Sequence, residues 1–508
     1  MRLFSSLINT FRGNPLNMNS DLENEKGGNV PIGGVEVENP SGPRVVDLET
    51  EKKILRKLDI RIIPMVMWIY LMNFMDRVNI GNARLYGLEE DLGMQGDQFQ
   101  LAVSILFVTY CLFEAPSNLV IKRLQPARYL AGLMFAWGIV ATFTAFVNNL
   151  GALIACRLLL GLFEAGLFPG VIVYLTIFYS KRSIALRTAY FFSMAAASGA
   201  CGGFVAYAIG FIDGAAGWRA WRWIILINGI PTVLTAFLVP FVLPNSVETA
   251  SFLTEEDKAN MILIREAEIG STTKAQQLHW EDVKAGLLDW KTYLFSVGQF
   301  SINTMVYSFS VFLPTIIRGL GTWSTAEVQA LTIPVFALGA IVYLTCAWAS
   351  DRLQQRGVFV VGASITAIIG YCLLVSNYNN ATSFAGCFFV SMGCFTAAGS
   401  ALVWLNSNNP RWGKRAVSSG MQLSIANAAG VSAPFLFSNQ YAPTYIPGYA
   451  ASIGLLGLQA SLHTFIWFYW RRANSRKLSG KEDWRMEGLT EEQISELGEH
   501  NPRYIYST

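Results

Sequence analysis

Long apolar segments alternate with short polar segments along most of the chain. A helix needs about 20 apolar residues to cross the ~30 Å hydrocarbon core of a membrane, and twelve segments have this length. The predicted spans are about 60–82, 99–121, 129–147, 150–175, 187–212, 221–243, 291–317, 327–349, 358–376, 383–406, 415–438 and 449–470. The pattern predicts an all-α integral membrane protein with 12 transmembrane helices.

The longest internal polar interruption is residues 244–290, which separates six predicted spans from the other six. Two hydrophobic halves joined by one polar linker indicate a duplicated six-helix unit. We therefore predict an N-terminal bundle over 59–243 and a C-terminal bundle over 291–470. Residues 1–58 are polar and rich in Gly, Pro and Asn, which predicts a disordered cytosolic tail, and 471–508 form a cytosolic C-terminal tail.

Basic residues collect in alternate loops, and this predicts the orientation because cytoplasmic loops are enriched in Lys and Arg. The loops on the other side are short and nearly free of bases. Both termini are therefore expected in the cytoplasm. The bases that carry this prediction are Lys52, Lys53, Arg56, Lys57, Lys122, Arg123, Arg128, Lys181, Arg182, Arg187, Arg352, Arg356, Arg411, Lys414, Arg415, Arg471, Arg472, Arg476 and Lys477.

Composition agrees with a membrane protein and points away from an enzyme. Hydrophobic residues make up 52% of the chain and charged residues 14%, against about 25% charged in soluble domains. The seven cysteines all fall inside apolar segments, where a reduced cysteine acts as a small hydrophobic residue. No nucleophile–His–acid set, metal-ligand spacing or phosphate loop is recognisable, so we expect no enzyme activity, no cofactor, no metal and no nucleic-acid partner.

Four charged residues within the first and fourth predicted spans matter most for function. Asp76 and Arg77 lie in the first span, and Arg157 and Glu164 lie in the fourth. A charged side chain near the centre of a membrane helix costs about 2.5–3.5 kcal/mol on insertion scales. Because the four charges sum to zero, they offer one another compensation, and intramembrane charges of this kind mark substrate or proton pathways.

The spacing of these charges predicts an anion site. At 1.5 Å per residue, Arg77 and Arg157 each lie about 10 Å below the outer edge, and Glu164 lies about 10 Å deeper than Arg157. The planar fork of arginine binds a carboxylate through two hydrogen bonds and keeps its proton. Asp76 and Glu164 are the candidate proton carriers, with Glu114 a third. The alternative is that the charges only pair with one another and hold two helices together.

Five stretches give the chain a resemblance to a known family. They are "LDIRIIPMVMWIYLMNFMDRVNIGNARLYGLEEDLGM", "FEAPSNLVIKRLQPARYL", "RLLLGLFEAGLFPG", "GWRAWRWIILINGIPT" and "WASDRLQQRG". With these motifs the sequence resembles major facilitator superfamily transporters, and within them the fungal anion:cation symporters of the allantoate/nicotinate permease branch. The motifs are specific for the branch and not for the substrate.

The resemblance implies two six-helix bundles around a central cavity that opens alternately to each side of the membrane. It also implies that Arg77 and Arg157 bind the carboxylate of an organic anion and that Asp76 and Glu164 handle protons. Polar residues of spans 7, 10 and 11 are candidate substrate contacts, the alternative being hydrogen bonds between helices. These candidates are Asn303, Tyr307, Asn406 and Asn427.

The resemblance also implies a gating motif in the loop between spans 2 and 3 and again in the second half. The first copy keeps the bases of the motif but has Asn118 near the expected acid, whereas the second copy, "SDRLQQRG", keeps its acid. Such residues stabilise one of two bundle orientations and so bear on gating. The candidate gating residues are Lys122, Arg123, Arg128, Asp351, Arg352 and Arg356.

The leading functional hypothesis is proton-coupled symport of a small organic anion by a monomer in the plasma membrane. The branch implies a carboxylate such as nicotinate, allantoate or a vitamin-like acid. One alternative is a proton antiporter that exports a metabolite or a drug, although two anion-binding arginines argue against it. Another is a nutrient receptor that binds without transporting, although both tails are short for a signalling role.

Overall fold

The computed structural model describes residues 47–508 with the exception of 122–123, 181–182, 270–279, 443, 491–492 and 495–496. This part of the chain contains α-helices, short 3₁₀ turns and loops, and no β-strand. The prediction of an all-α protein is confirmed for these residues.

The helices of the first half begin before the first predicted span. They are α1 (Leu48–Arg61), α2 (Ile63–Arg84), α3 (Leu88–Asp91), α4 (Gln98–Ile121), α5 (Pro126–Phe143), α6 (Leu150–Glu164), α7 (Leu167–Phe178), α8 (Ile184–Gly210) and α9 (Ala220–Val242). The fourth predicted span is divided into α6 and α7 by a turn at Ala165 and Gly166.

Two helices of the predicted linker precede the second half. They are α10 (Glu255–Ile269) and α11 (Trp280–Leu287), and the second half itself contains α12 (Trp290–Gly319), α13 (Thr325–Leu353), α14 (Gly357–Ser376), α15 (Asn380–Ser407), α16 (Trp412–Ser432) and α17 (Ile446–Leu478).

Ten helical segments of the described chain are long and apolar enough to cross a membrane. Two further helices, α4 and α16, occupy the predicted second and eleventh spans and have 24 and 21 residues. The apolar part of α4 ends at Glu114, and α16 carries many small and polar residues. Both helices pack between the two halves, where polar side chains have protein partners instead of lipid.

The prediction of a disordered tail over 1–58 is wrong for residues 48–58, which belong to α1. This helix is amphipathic, and it buries Ile54 and Leu58 against the bundle. Ion pairs fix its position, because Lys57 lies 2.5 Å from Asp257 and Asp59 lies 2.6 Å from Arg187. Residues 1–46 lie outside the described chain.

The C-terminal segment packs against the second half. Helix α17 continues to Leu478, eight residues into the predicted tail. Beyond it, Tyr506 stacks on Trp470 with 5.6 Å between the ring centroids. The Glu499 carboxylate lies 2.7 Å from the ammonium groups of both Lys291 and Lys414. An ion pair and an aromatic stack therefore hold residues 499–506 on the bundle.

The Glu499 ion pair gives a testable expectation for this segment. Burial alone would raise the pKa of the Glu499 carboxyl, but Lys291 and Lys414 lower it to about 2. The unfolded value is about 4.3, so the pair stabilises the tail fully above that pH and is lost as the pH falls toward 2. We expect Glu499→Gln to speed trypsin cleavage after Arg503 at pH 7 by about 10-fold, because a hydrogen-bonded charge contributes about 1.5–3 kcal/mol.

Mass spectrometry of the cleaved products measures this rate. The matched control is Glu487→Gln, an exposed acid-to-amide change in the same segment, which should leave the rate unchanged. Equal cleavage of wild type and Glu499→Gln would show that the ion pair does not hold the tail.

The two ends of the bundle differ in charge. We call the end where α2 stops and α4 starts the acidic end, after Glu89, Glu90 and Asp91, and the opposite end, with Arg128, Arg352 and Arg356, the basic end. The two halves are in close contact at the acidic end. The contacts are hydrogen bonds of Gln100 to the Phe437 carbonyl at 2.8 Å, Arg84 to Asn439 at 2.6 Å, Ser438 to Asp97 at 2.8 Å and Ser104 to the Val431 carbonyl at 2.6 Å.

Close backbone packing reinforces this closure. Helices α2 and α12 approach so closely at Gly81 that a Cβ there would collide with the backbone carbonyl of Val311. Arg84 also lies over the rings of Phe99 and Phe312, with 4.5 Å and 5.6 Å to their centroids. The structure is therefore a conformation that is closed at the acidic end.

Candidate functional site

A small pocket, with space for about one water molecule, lies between the two halves. Both candidate arginines, Arg77 and Arg157, line it, together with mostly apolar side chains. The other lining residues are Phe74, Val78, Val103, Leu106 and Phe107 of the first half and Tyr307, Ser310 and Val311 of the second. The structure thus brings the two guanidinium groups to one shared space between the halves.

Arg77 is held by charge and by aromatic rings. It lies on α2, only 7% exposed, and its Nη2 and Nε donate to Glu164 Oε2 at 2.7 and 3.1 Å. The guanidinium also lies over the rings of Tyr110 and Phe107, with 4.8 and 5.4 Å to the centroids. Such cation–π contacts stabilise a desolvated cation. Arg77 is therefore oriented before any ligand binds.

Arg157 is buried without a protein acceptor. It lies on α6, is 4% exposed, and its Nε donates to no acceptor in the described chain. No carboxylate of the described residues forms an ion pair with it. Because an unpaired buried charge is costly, this guanidinium can gain much from an anion that enters the pocket.

The two intramembrane acids occupy different environments. Glu164, which is fully buried at the end of α6, pairs with Arg77 through Oε2, while its Oε1 has no partner in the described chain. Asp76 faces α9, where Thr232 donates to its Oδ2 at 3.0 Å. Successive helical residues point about 100° apart, so Asp76 and Arg77 on α2 face different neighbours. Glu164 contacts the arginine site directly, and Asp76 does not line the pocket.

The sequence left two interpretations of the four charges open, an anion site or charges that only pair with one another. The contacts decide between them only in part. The alternative of mutual pairing holds for Arg77 and Glu164, which connect α2 to α6. It does not hold for Arg157, whose charge lies in the pocket without a paired acid. A site with one paired and one unpaired arginine can exchange its internal carboxylate for that of a ligand.

One of the four polar candidates of the second half lines the pocket, and a second, Asn427, is bonded to it. Tyr307 lines the pocket, and its hydroxyl donates to Asn427 Oδ1 at 2.8 Å. Asn303 instead accepts a hydrogen bond from Gln299 at 3.1 Å, and Asn406 donates to the Leu402 carbonyl at 3.0 Å. Asn303 and Asn406 therefore take part in contacts within the second half and are not among the pocket-lining residues.

The site includes two aromatic residues that sequence reasoning did not select, beside Glu114, which the sequence offered as a third proton carrier. Phe107 and Tyr110 on α4 face Arg77, and Glu114 follows on the same helix, where Asn427 Nδ2 donates to both of its carboxylate oxygens at 3.1 and 3.2 Å. Spacings of three, four and seven residues put all three on one helix face. That spacing was visible in the sequence, but aromatic residues inside an apolar span are indistinguishable from core residues.

The candidate gating residues lie at the basic end where the structure describes them. Arg356 lies 3.3 Å from Asp351, and Arg352 lies over the ring of Trp348 at 5.4 Å. Arg128 is exposed. Lys122 and Arg123 lie outside the described residues. His463 is buried against Phe295 and Trp404, where it packs between aromatic rings.

Comparison with known proteins identifies a family over most of the chain. Residues 66–476 match the Major Facilitator Superfamily. An uncharacterised transporter of Schizosaccharomyces pombe is 39% identical over 84% of this chain and 84% of its own length. The MFS-type transporter cnsO of Penicillium expansum is 32% identical over 90% of each chain. The high-affinity nicotinic acid transporter of Saccharomyces cerevisiae is 29% identical over 90% of this chain and 85% of its own.

Solved structures agree on the fold. The inward-facing, occupied crystal structure of a bacterial homologue of the human lysosomal transporter Spinster superposes with a TM-score of 0.59. The superposed region covers 81% of this chain and 96% of the bacterial chain, and the two sequences are 14% identical. A second structure of that homologue, in the inward-facing and unoccupied conformation, gives a TM-score of 0.60. At this level of identity, the likeness concerns the fold alone.

Proposed function

The chain belongs to the Major Facilitator Superfamily of membrane transporters, and from this premise we propose that it imports a small organic carboxylate together with protons. The proposal assigns the pocket between the halves as the substrate site. Arg77 and Arg157 bind the substrate carboxylate, and Glu164 exchanges a proton. Alternating opening of the two halves then moves substrate and proton together.

The proposed topology has twelve spans. It adds α4 and α16 to the ten apolar segments, so that each half contributes six. The basic end lies in the cytoplasm, because Lys and Arg concentrate in cytoplasmic loops, and the acidic end lies outside. With this orientation the structure is closed to the extracellular side, and the plasma membrane is the expected location.

One observation carries the proposal, namely the Arg157 guanidinium, buried in the pocket beside Arg77 without a protein acceptor. A structural ion pair would give the guanidinium a carboxylate partner, as Glu164 does for Arg77. A second, unpaired arginine is what a site for a fixed negative charge requires, since charge-assisted bonds to a carboxylate are the strongest hydrogen bonds available to it.

The other lining residues favour a flat, apolar acid. Phe74, Phe107 and Tyr307 surround the guanidinium groups with aromatic surface, which suits a ring carried on a carboxylate. A ureide such as allantoate would bury several amide donors that need acceptors, and an unmet donor costs about 1–3 kcal/mol. We therefore rank nicotinate first, in line with the nicotinic acid transporter among the similar proteins.

The Arg77–Glu164 pair supports proton coupling. A substrate carboxylate competes with Glu164 for Arg77, and protonation of Glu164 removes that competitor. Proton and anion thus favour each other's binding, and this coupling is reciprocal by thermodynamic linkage. An imposed pH gradient that is acidic outside should therefore drive accumulation of the anion.

Transport into proteoliposomes tests the proposal. We expect labelled nicotinate to accumulate when the outside is at pH 5.5 and the inside at pH 7.5, and a proton-carrying uncoupler to abolish the accumulation. A proton antiporter would instead accumulate the compound when the inside is acidic. Accumulation in that direction only, or saturable binding with no flux in either direction, would contradict symport.

Gly81 provides a test of the closure at the extracellular side. Gly81→Val should prevent α2 from approaching Val311, keep the pocket open to the outside, and lower uptake at least about 10-fold, as overpacking costs about 1–3 kcal/mol. Labelling of an introduced Ser104→Cys by an impermeant maleimide on intact cells should become faster. Gly362→Val is the matched control, because no atom lies within 4 Å of a Cβ at that position.

Unchanged labelling and uptake in Gly81→Val would mean that the contact between α2 and α12 is not part of the transport cycle. A loss of uptake without faster labelling would indicate damage to the fold and not a trapped conformation.

A further inference from the structure

We propose that Glu114, Asn427 and Tyr307 form a charge-dependent gate between the pocket and the cytoplasm, an inference that rests on the proposed transport function. Glu114 belongs to α4 of the first half, and its partners belong to α16 and α12 of the second. The hydrogen bonds from Asn427 Nδ2 to the Glu114 carboxylate, at 3.1 and 3.2 Å, join the two halves across 313 positions in sequence.

The position of this bridge makes it a gate. Along α4, Glu114 lies about 24 Å from the acidic end, whereas Arg77 lies about 10 Å from that end on α2, at 1.5 Å per residue. Tyr307 forms part of the pocket wall and also donates to Asn427. The bridge therefore crosses between the halves on the basic side of the arginines. In the proposed orientation, a ligand that leaves for the cytoplasm passes it.

The hydrogen-bond chain has a defined direction. The Tyr307 hydroxyl donates to Asn427 Oδ1 at 2.8 Å, which turns Asn427 Nδ2 toward Glu114. Glu114 is 3% exposed and receives both bonds as an acceptor. An acceptor that carries a full charge makes a bond about twice as strong as a neutral acceptor does. The bridge is thus strong when Glu114 is ionised and weak when it is protonated.

The groups that face Glu114 connect its charge to the substrate site. They are Arg77 from α2, Tyr110 and Cys111 from its own helix, and Tyr307 from α12. Burial opposes the charge on the Glu114 carboxylate, and Arg77 is the cation among these groups that supports it. When a substrate carboxylate binds Arg77, part of that support is lost, and Glu114 takes up a proton more readily.

The consequence is a gate that opens for the loaded transporter. With the pocket empty, ionised Glu114 keeps the halves joined on the cytoplasmic side. With anion and proton bound, the bridge is reduced to a neutral hydrogen bond, and the halves can separate toward the cytoplasm. The same carboxylate then returns its proton to the cytoplasm, and the ionised bridge can form again.

Accessibility of the pocket from the cytoplasm tests this gate without any substrate. Ser310 lines the pocket one turn beyond Tyr307, so Ser310→Cys reports on passage through the gate. Inside-out vesicles are treated with an impermeant maleimide, and peptide-resolved mass spectrometry follows the introduced cysteine. Each variant is compared with the unmodified gate at the same pH, which cancels the pH dependence of the thiol itself.

We expect Glu114→Gln to label at least about 10-fold faster than the unmodified gate at pH 8 and at about the same rate at pH 5.5. Asn427→Ala breaks the bridge from the other half and should give the same pair of ratios. Because the two variants change different helices, agreement between them shows that the result does not come from a folding defect of one variant. Glu487→Gln, an exposed acid-to-amide change, should label like the unmodified gate at both pH values.

Ratios near one at pH 8 for both gate variants would overturn the proposal. A 10-fold ratio that persists at pH 5.5 would also overturn it, because a bridge with only a structural role does not respond to protonation. Failure of proteoliposomes to take up any carboxylate would contradict the proposed function, while the labelling ratios would still decide the gate.

Discussion

Arg157→Ala is expected to abolish uptake, with an initial rate at least about 100-fold below wild type. The Arg157 guanidinium is buried in the pocket without a hydrogen-bonded protein acceptor, so its hydrogen bonds are available to a substrate carboxylate. Truncating one partner of a buried charge pair costs about 2–5 kcal/mol, and about 2.7 kcal/mol corresponds to 100-fold. Initial uptake of labelled nicotinate by cells with matched surface levels of transporter measures the effect.

Two controls separate loss of the anion site from loss of the fold. Arg157→Lys keeps the charge but not the planar fork, so partial activity with a raised KM is expected. Arg472→Ala removes an exposed arginine of α17 and should leave uptake unchanged. Wild-type kinetics in Arg157→Ala would show that the unpaired guanidinium does not bind substrate.

Arg77→Ala should be as inactive as Arg157→Ala, for a different reason. Its removal takes away a substrate ligand and also leaves Glu164 buried without its cation. A buried carboxylate without a paired cation is costly to the fold. We therefore expect a lower surface level of the protein in Arg77→Ala. The double change Arg77→Ala with Glu164→Gln should bring the surface level back, while uptake stays absent.

Glu164→Gln is expected to separate exchange from accumulation. The amide can still accept a hydrogen bond from Arg77, but it no longer competes as a charge or carries a proton. Exchange of external for internal substrate at equal pH should therefore remain within about 10-fold of wild type, since one hydrogen bond contributes about 0.5–1.5 kcal/mol. Accumulation driven by a pH gradient should be lost.

Paired exchange and accumulation assays in the same proteoliposomes measure both quantities. Glu256→Gln, an exposed acid of the linker, is the control and should behave like wild type in both. Gradient-driven accumulation by Glu164→Gln would assign the proton to another acid, of which Asp76, with its contact to Thr232, is the alternative.

The sequence alone predicts much of this architecture, because membrane helices are recognisable from their length and hydrophobicity. The twelve predicted spans all coincide with helices, although α4 and α16 are less apolar than the rest. The predicted disorder over residues 48–58 is wrong, because the amphipathic α1 becomes stable only when the bundle covers Ile54 and Leu58. Tertiary contacts of this kind leave little trace in local composition.

Part of the candidate site was predictable, because charged residues deep inside membrane helices are rare. Arg77, Arg157 and Glu164 stand out in an apolar sequence, and estimates of depth from helix rise place the two arginines at one level. Which residues of the second half face the pocket was not predictable. Helices buried on all sides lack an apolar stripe that would indicate their orientation, so Asn303 and Asn406 were indistinguishable from Tyr307 and Asn427.

The bridge between the halves was also beyond sequence reasoning. Glu114 and Asn427 are 313 residues apart, and neither lies in a motif that implies the other. Their contact depends on how the two halves close upon each other, and this follows from packing at Gly81 and along the faces of α4, α12 and α16. Such long-range contacts are determined by the fold as a whole.

Competition at the site is the most direct test of the two-arginine pocket. Labelled nicotinate uptake is measured at pH 5 in a strain without nicotinate and allantoate permeases, against an excess of unlabelled nicotinate or of nicotinamide, which has the same ring but no charge. We predict that nicotinate competes, that nicotinamide does not compete even at about 100-fold excess, and that uptake requires both arginines. Equal competition by nicotinamide, or uptake that survives in Arg157→Ala, would contradict a site built to bind a carboxylate.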